Sequence, residues 1–162
     1  MTTMDGRPPT TEPILTLLTE NPRRIAALTA GLAPAQLGTP HGPGGWSLND
    51  ILAHVRSCAD VWGGCIATML AEDEPTIRAI NPRTWIKGTN YRELEFQPSL
   101  RAYMRQRARL LAVLAPLPSA SWSRSATVTG AGAVLRRTIF FYARWLANHE
   151  RSHVKQIARI VA

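Results

Sequence analysis

Three of the four histidines in this 162-residue chain are spaced as the ligands of one metal ion would be. His149 and His153 are four residues apart, and positions i and i+4 of a helix lie one turn apart on the same face. Two neutral imidazoles at that spacing can hold one divalent ion, and His54 can add a third nitrogen from a facing helix. Because three protein nitrogens leave coordination positions open for water or substrate, the pattern favours a catalytic metal centre.

The run from His149 to His153 also matches the H-E-x-x-H pattern of zinc metalloproteases, in which the glutamate is the general base. Such enzymes usually take their third ligand from downstream, but the residues after His153 include no His, Asp, Glu or Cys. The pattern therefore disfavours a protease, and His54 is the predicted third ligand. Glu150 is the candidate catalytic residue. It acts as a base, accepts a hydrogen bond beside the metal, or pairs with arginines at the bundle surface.

Three other residues near these motifs also need an interpretation. Cys58, one turn after His54, is either a thiolate close to the metal or a small buried apolar residue. Asp50, one turn before His54, either caps its helix or orients the imidazole. His41 lies in a Pro-His-Gly-Pro loop and is predicted at the surface. Three buried histidines without a metal are the alternative to the whole site, and every ring nitrogen would then need a hydrogen-bond partner.

Apolar periodicity predicts the elements that position these residues: four helices at about 12–32, 47–71, 99–115 and 135–160. Ser47 and Asp50 form a capping box at the start of the second helix, and Pro22 kinks or restarts the first. The fourth helix carries both histidines in its apolar stripe. The polar face of the third helix holds four arginines, Arg101, Arg105, Arg107 and Arg109.

These segments predict an all-α four-helix bundle with long connections after its second and third helices, at 72–98 and 116–134. A short strand or hairpin is predicted within 122–129. Residues 1–10 are expected to be a flexible tail ahead of a single domain at 11–162. No apolar run is long enough to span a membrane and no signal pattern precedes the domain, so the expected location is cytoplasmic. Cys58 and Cys65, about 10 Å apart on one helix, are expected to be reduced thiols.

The net charge of +8 is unevenly distributed along the chain. Residues 1–80 carry five basic and eight acidic side chains, whereas residues 81–162 carry 14 basic and three acidic ones. Such a basic half can attract nucleic acid, an anionic ligand or an acidic partner. Because no basic cluster is interleaved with aromatic residues, a solvated surface is favoured and nucleic acid is a disfavoured partner, although not an excluded one.

Three motifs together resemble the DinB-like superfamily of four-helix-bundle metalloproteins, over about residues 12–160. The first is WSLNDILAH at 46–54, with a Trp-Ser helix start and a histidine two turns later. The second is the arginine-rich third helix followed by Leu117 and Trp122. The third is HERSHVKQI at 149–157, in which the histidine pair precedes Gln-Ile. Carried over by motif, the metal ligands of the family fall on His54, His149 and His153.

The resemblance implies a divalent metal, often zinc or nickel, with open coordination positions, and frequent homodimers. Characterised relatives include mycothiol-dependent maleylpyruvate isomerase and bacillithiol transferases. The favoured function is therefore a metal-dependent thiol transferase, in which the metal presents a low-molecular-weight thiol as a thiolate to a small-molecule substrate. The alternatives are a hydrolase that uses a metal-activated water, and a non-catalytic basic binding or stress-response module.

Overall fold

The structure is a computed structural model that describes residues 10–162, so the predicted tail lies almost wholly outside the described residues. Within them the chain forms four long helices, and these are α1 (Glu12–Thr29), α3 (Leu48–Ala71), α5 (Phe96–Leu114) and α6 (Ile139–Val161). The shorter elements are α2 (Pro34–Gly38), α4 (Pro82–Trp85), β1 (Thr76–Arg78), β2 (Ser125–Thr129), β3 (Leu135–Thr138) and 3-10 turns at Ile86–Gly88, Tyr91–Glu93 and Ser119–Ser123. The predicted four-helix bundle is confirmed.

The ends of the long helices follow local chemistry. The predicted capping box opens α3, because Ser47 Oγ accepts from the Asp50 amide and Asp50 Oδ2 accepts from the Ser47 amide, each at 3.0 Å. Helix α5 begins three residues earlier than predicted. Pro98 lies in its first turn, where the backbone N–H groups have no helical partner to lose. Helix α6 begins at Ile139 rather than 135, and the Thr138 hydroxyl caps it.

Beside the helical bundle the chain forms a small sheet with strand order β1-β2-β3, of which the sequence predicts one segment. Strand β2 falls within the predicted 122–129 segment and pairs antiparallel with β3, which apolar periodicity had assigned to the fourth helix. Strand β1 pairs parallel with β2, for example at Thr76 and Thr127. A three-residue strand has too few positions to show alternation, and its partner lies some fifty residues away in the sequence. Periodicity therefore could not predict it.

The bundle brings α3 and α6 together in antiparallel orientation. His54 contacts His149, and Trp62, two turns further along α3, contacts Trp145, one turn earlier on α6. Helix α1 packs against α5 and α6, so that the four long helices share one interior. Two groups of buried apolar side chains fill the two halves of that interior. The metal-ligand candidates lie on the seam between α3 and α6.

The buried face of α6 is rotated slightly from the predicted stripe. Its fully buried positions include Leu146, Glu150 and Val154, whereas His149 and His153 are half-buried at the edge of that face. Glu150 has no exposed surface, and its partner Arg107 on α5 is 3% exposed. The interpretation that Glu150 pairs with arginine at the bundle surface is therefore wrong, because the pair is buried. The prediction that Arg107 lies on the polar, solvent-facing side of its helix is also wrong. A charged pair therefore lies inside the bundle.

None of the described helices combines the length and the apolar character that a membrane-spanning helix requires. Cys58 and Cys65 are both free thiols, as the spacing predicts.

The central part of the connection between α3 and α5 is held against the bundle by the carboxylate of Asp60 on α3. Asp60 accepts hydrogen bonds from Trp85 Nε1 at 3.1 Å, from the Tyr91 hydroxyl at 2.6 Å and from Gln106 Nε2 on α5 at 2.5 Å. The Arg56 guanidinium lies over the Tyr91 ring, 3.8 Å from its centre. A segment predicted as a long connection is thus held by side-chain contacts at two of its turns.

We expect Asp60→Asn to loosen this connection selectively, because an amide keeps one acceptor but loses the charge that strengthens all three bonds. Amide hydrogen exchange across residues 82–93 should accelerate by an amount corresponding to about 1–3 kcal/mol of local opening. Exchange within the central turns of α6 should stay at the wild-type rate. Asp73→Asn, at an exposed position, is the control. Equal acceleration in both variants, or none in either, would contradict the anchoring role.

Candidate metal centre

The three predicted ligands converge on one point. His54 Nε2 lies 3.3 Å from His149 Nε2, which lies 3.2 Å from His153 Nε2. The ligand nitrogens of all three rings lie within 4.8 Å of one another. An α-helix places His149 and His153 one turn apart, and the antiparallel crossing of α3 brings His54 against them. The geometry that the spacing predicts is therefore present.

The residues fit a divalent metal ion. Three nitrogens bound tetrahedrally at 2.0–2.1 Å from one ion would be about 3.3 Å apart. Burial, followed by the nearby charges of other histidines, lowers the pKa of His54 and of His149 to about 4. Both rings are therefore neutral at pH 7, with lone pairs available to a cation. Without a cation, the lone pairs or N–H groups of three Nε2 atoms would face one another. One bound metal ion would accept all three lone pairs at once.

Gln156 fixes the tautomer of one ligand. Its Oε1 lies 2.8 Å from His153 Nδ1 and accepts the proton of that nitrogen, which leaves the lone pair of Nε2 directed at the other two rings. The residue stands three positions after His153, so it shares the same helix face. In the sequence Gln156 is recognisable only as part of the family motif, although its i, i+3 spacing from His153 indicates this contact.

We expect Gln156→Leu to weaken zinc binding by roughly 10–100-fold, the usual cost of losing the hydrogen-bond partner of a metal-bound histidine. Competition with a chromogenic chelator measures the change. Asn148→Leu, on the same helix and also half-buried, is the matched control and should bind zinc as wild type does. Equal affinity in wild type and Gln156→Leu would show that this amide does not orient the ligand.

Two tryptophans form the walls of the site. The Trp46 ring lies 5.0 Å from the His54 ring, and the Trp62 ring lies 5.0 Å from the His149 ring in a perpendicular contact, both measured between centres. Trp145, 51% exposed, extends the aromatic surface beyond Trp62 at 5.9 Å. These rings flank the triad beside His54 and His149, and the two α6 histidines are only partly buried.

Cys58 stands behind His54 rather than within the cluster. Its Sγ lies 3.6 Å from His54 Nε2, but it is not part of the group of ligand atoms that lie within 4.8 Å of one another. Burial, followed by the negative charge of Glu150, raises the pKa of the Cys58 thiol to about 12. The neutral thiol favours the interpretation of Cys58 as a small buried side chain.

Asp50 and His41 do not join the triad. The Asp50 carboxylate accepts from the Ser47 amide and lies 3.8 Å from the Arg92 guanidinium, so capping and charge pairing account for it. His41 is exposed, as the loop predicts.

The carboxylate of Glu150 is directed into the bundle. Its Oε2 accepts from the Tyr103 hydroxyl and from Arg107 Nη2, each at 2.5 Å. Arg107 Nη1 also donates to the backbone carbonyl of Leu18 on α1, at 3.0 Å. The buried pair thereby ties α6, α5 and α1 together. In the described part of the chain, no hydrogen bond joins Glu150 to an imidazole of the triad.

Comparison with known proteins agrees with this arrangement. The family model of the DinB superfamily matches residues 17–157. A protein of Geobacillus thermodenitrificans named "Putative metal-dependent hydrolase" is 26% identical over 144 residues, covering 85% of this chain and 76% of the relative. A Geobacillus kaustophilus protein with the same kind of name is 26% identical over 145 residues, covering 86% and 77%.

A solved structure has the same fold. YfiT from Bacillus subtilis, described as "a probable metal-dependent hydrolase with an unusual four-helix bundle topology", superposes with a TM-score of 0.72 at 20% identity. The match covers 92% of this chain and 86% of YfiT. With a family model that spans most of the chain, a shared bundle topology and a convergent histidine triad, this protein is a member of the DinB superfamily.

Proposed function

We propose that this protein is a metal-dependent hydrolase whose metal is held by His54, His149 and His153. The observation that carries the proposal is the convergence of the three Nε2 atoms at the half-buried edge of α6. His149 Nε2 lies 3.3 Å from that of His54 and 3.2 Å from that of His153. Three nitrogen ligands leave room for water and substrate. The names of the two Geobacillus relatives support hydrolysis over thiol transfer.

Each side chain of the site has a separate task in this proposal. A divalent ion, when bound, supplies Lewis acidity and lowers the pKa of water at the site to near neutrality. The Gln156 amide holds the His153 ring in the tautomer that binds a cation. Trp46 and Trp62 give the site apolar walls, in which electrostatic interactions are stronger than in bulk water. The substrate approaches from the seam between α3 and α6.

Glu150 is either a general base at the metal centre or a member of the buried charge pair. A general base must reach the water that it deprotonates, at hydrogen-bond distance or through one further water. One oxygen of Glu150 is engaged by Tyr103 and Arg107, and the side chain is fully buried. We therefore assign Glu150 to the interior charge pair. Its function as a catalytic base stays a prediction.

Isotopic labelling separates the two enzyme classes. Zinc- and nickel-loaded protein would be incubated in ¹⁸O-water with 4-nitrophenyl butyrate and leucine 4-nitroanilide, with and without a low-molecular-weight thiol. A hydrolase places one solvent oxygen in the acid product and does not need the thiol. A transferase forms a thioester without taking up solvent oxygen at the acyl carbon, and needs both thiol and metal.

His153→Ala is the control for metal dependence and should reduce turnover to the rate without enzyme. Turnover that survives in this variant, or that is the same in metal-free protein, would overturn the proposal. Strict dependence on the thiol, with sulfur in the product, would replace hydrolysis by transfer at the same centre.

A further inference from the structure

Two arginines of the connection between α3 and α5 lie close to the start of α3, the helix that carries His54. Arg83, on α4, lies beside the Trp46 ring, and Arg92 lies beside Asp50. Both arginines lie outside the four long helices.

The two arginines differ in their partners. Arg92 Nε lies 3.8 Å from Asp50 Oδ1, so part of its charge is neutralised. Across residues 10–162, Arg83 has no carboxylate within 4.0 Å and its side chain is exposed. Its described contact is with the Trp46 ring, whose centre lies 5.7 Å from the guanidinium carbon. A cation–π contact at an exposed site is worth only about 0.5–1 kcal/mol. The donors of the guanidinium therefore remain available to a ligand.

Trp46 joins this guanidinium to the metal centre. The Arg83 guanidinium carbon lies 5.7 Å from the centre of the Trp46 ring, and the centres of the Trp46 and His54 rings lie 5.0 Å apart. The guanidinium is therefore no further from His54 than these two steps combined, a distance that one small molecule can span. A ligand lying along the indole would have one end at the triad and the other at the guanidinium.

The position of Arg83 is fixed by the backbone that carries it. Asn81 caps α4 and its Oδ1 accepts from the Arg83 amide at 2.9 Å, while Pro82 occupies the first helical position. At the other end of α4, Trp85 donates to Asp60 on α3. The guanidinium thus stands on a capped helical turn whose C-terminal end is held against α3, which limits the backbone motion that ligand binding must arrest.

We propose that Arg83 and Trp46 form an oxyanion subsite beside the triad, and that the substrate is a small molecule bearing a carboxylate or phosphate at the end opposite its scissile bond. A guanidinium presents paired N–H donors that match both groups, and an indole face suits the apolar segment between the two ends. This subsite deepens the proposed hydrolase function and rests on it for the identity of the reacting end.

The test measures binding by calorimetry on the zinc-loaded full chain. The probes are glutarate and glutaramate. Each has one carboxylate, and the second end is a charged carboxylate in glutarate and a neutral amide in glutaramate. Glutarate should bind about 10–100-fold more tightly than glutaramate, as expected for a charged hydrogen-bonded contact. Arg83→Gln should reduce that ratio to near one. Arg101→Gln, which removes the same charge from an exposed position on α5, should leave the ratio unchanged.

A third probe, 4-phosphonobutyrate, distinguishes the two oxyanions. Tighter binding than glutarate assigns the subsite to phosphate, and weaker binding assigns it to carboxylate. An unchanged ratio in Arg83→Gln, or an equal loss in Arg101→Gln, would overturn the subsite. Failure of the proposed function would appear separately, as no zinc uptake or no zinc-dependent turnover in the same samples. The comparison of Arg83→Gln with wild type could still be made on metal-free protein, because Arg83 is not one of the triad ligands.

Discussion

His153→Ala should abolish tight metal binding while leaving the helical content of the protein near that of wild type. The variant removes one of three convergent nitrogens, since His149 Nε2 lies 3.3 Å from His54 Nε2 and 3.2 Å from His153 Nε2. The two ligands that remain cannot fix a tetrahedral ion. We expect a loss of affinity larger than the roughly 10–100-fold that follows removal of a supporting partner such as Gln156. Zinc competition with a chromogenic chelator gives the affinity, and circular dichroism gives the helical content.

The bundle should stay folded without its metal, unlike a zinc finger, because buried apolar side chains from all four long helices supply its stability. His41→Ala is the matched control, since His41 is an exposed imidazole outside the triad. Its zinc affinity should equal that of wild type. If chelation alone unfolds wild type, the metal is a structural element and the hydrolase proposal loses its support. Unchanged affinity in His153→Ala would exclude this residue as a ligand.

The triad could be predicted because it depends on local spacing and on one tertiary contact. Two histidines four residues apart must share a helix face, and only one other histidine, His54, occupied a predicted apolar stripe. The capping box of α3 could be predicted for the same reason, since Ser47 and Asp50 bond to each other's backbone within one turn. Interactions of this kind need no knowledge of which helices are neighbours.

The interior charge pair could not be predicted in this way. Charged side chains are almost never fully buried unless they are paired, and the partners here are 43 residues apart on different helices. Taken alone, Arg107 belonged with the exposed arginines of α5, and Glu150 lay outside the stripe that the two histidines define. The sheet could be predicted only in part, at the segment that contains β2, because β1 is recognisable only through its pairing with β2. The sequence likewise does not distinguish Arg83 from the other arginines, because its contact with Trp46 depends on the fold.

Breaking the buried pair should produce the largest loss of stability of any substitution considered above. Arg107→Met leaves the Glu150 carboxylate buried without its cation, and Glu150→Leu leaves Arg107 equally unpaired. Burial alone would lower the pKa of Arg107, but the carboxylate of Glu150, with a smaller contribution from Tyr103, raises it. Removing one partner of such a pair typically costs about 3–5 kcal/mol. Chemical denaturation monitored by circular dichroism measures the free energy of unfolding.

The exposed pair of Arg136 and Glu74, with an Nη2–Oε1 distance of 2.9 Å, is the matched control. Arg136→Met should change stability by less than about 1 kcal/mol, because solvent screens an exposed ion pair. The double variant Arg107→Met with Glu150→Leu should recover much of the loss, since apolar side chains of similar volume carry no desolvation cost. If the double variant also retains zinc affinity and turnover, Glu150 serves the bundle alone. If it is stable and binds zinc but is inactive, Glu150 has the catalytic function that the H-E-x-x-H pattern predicts.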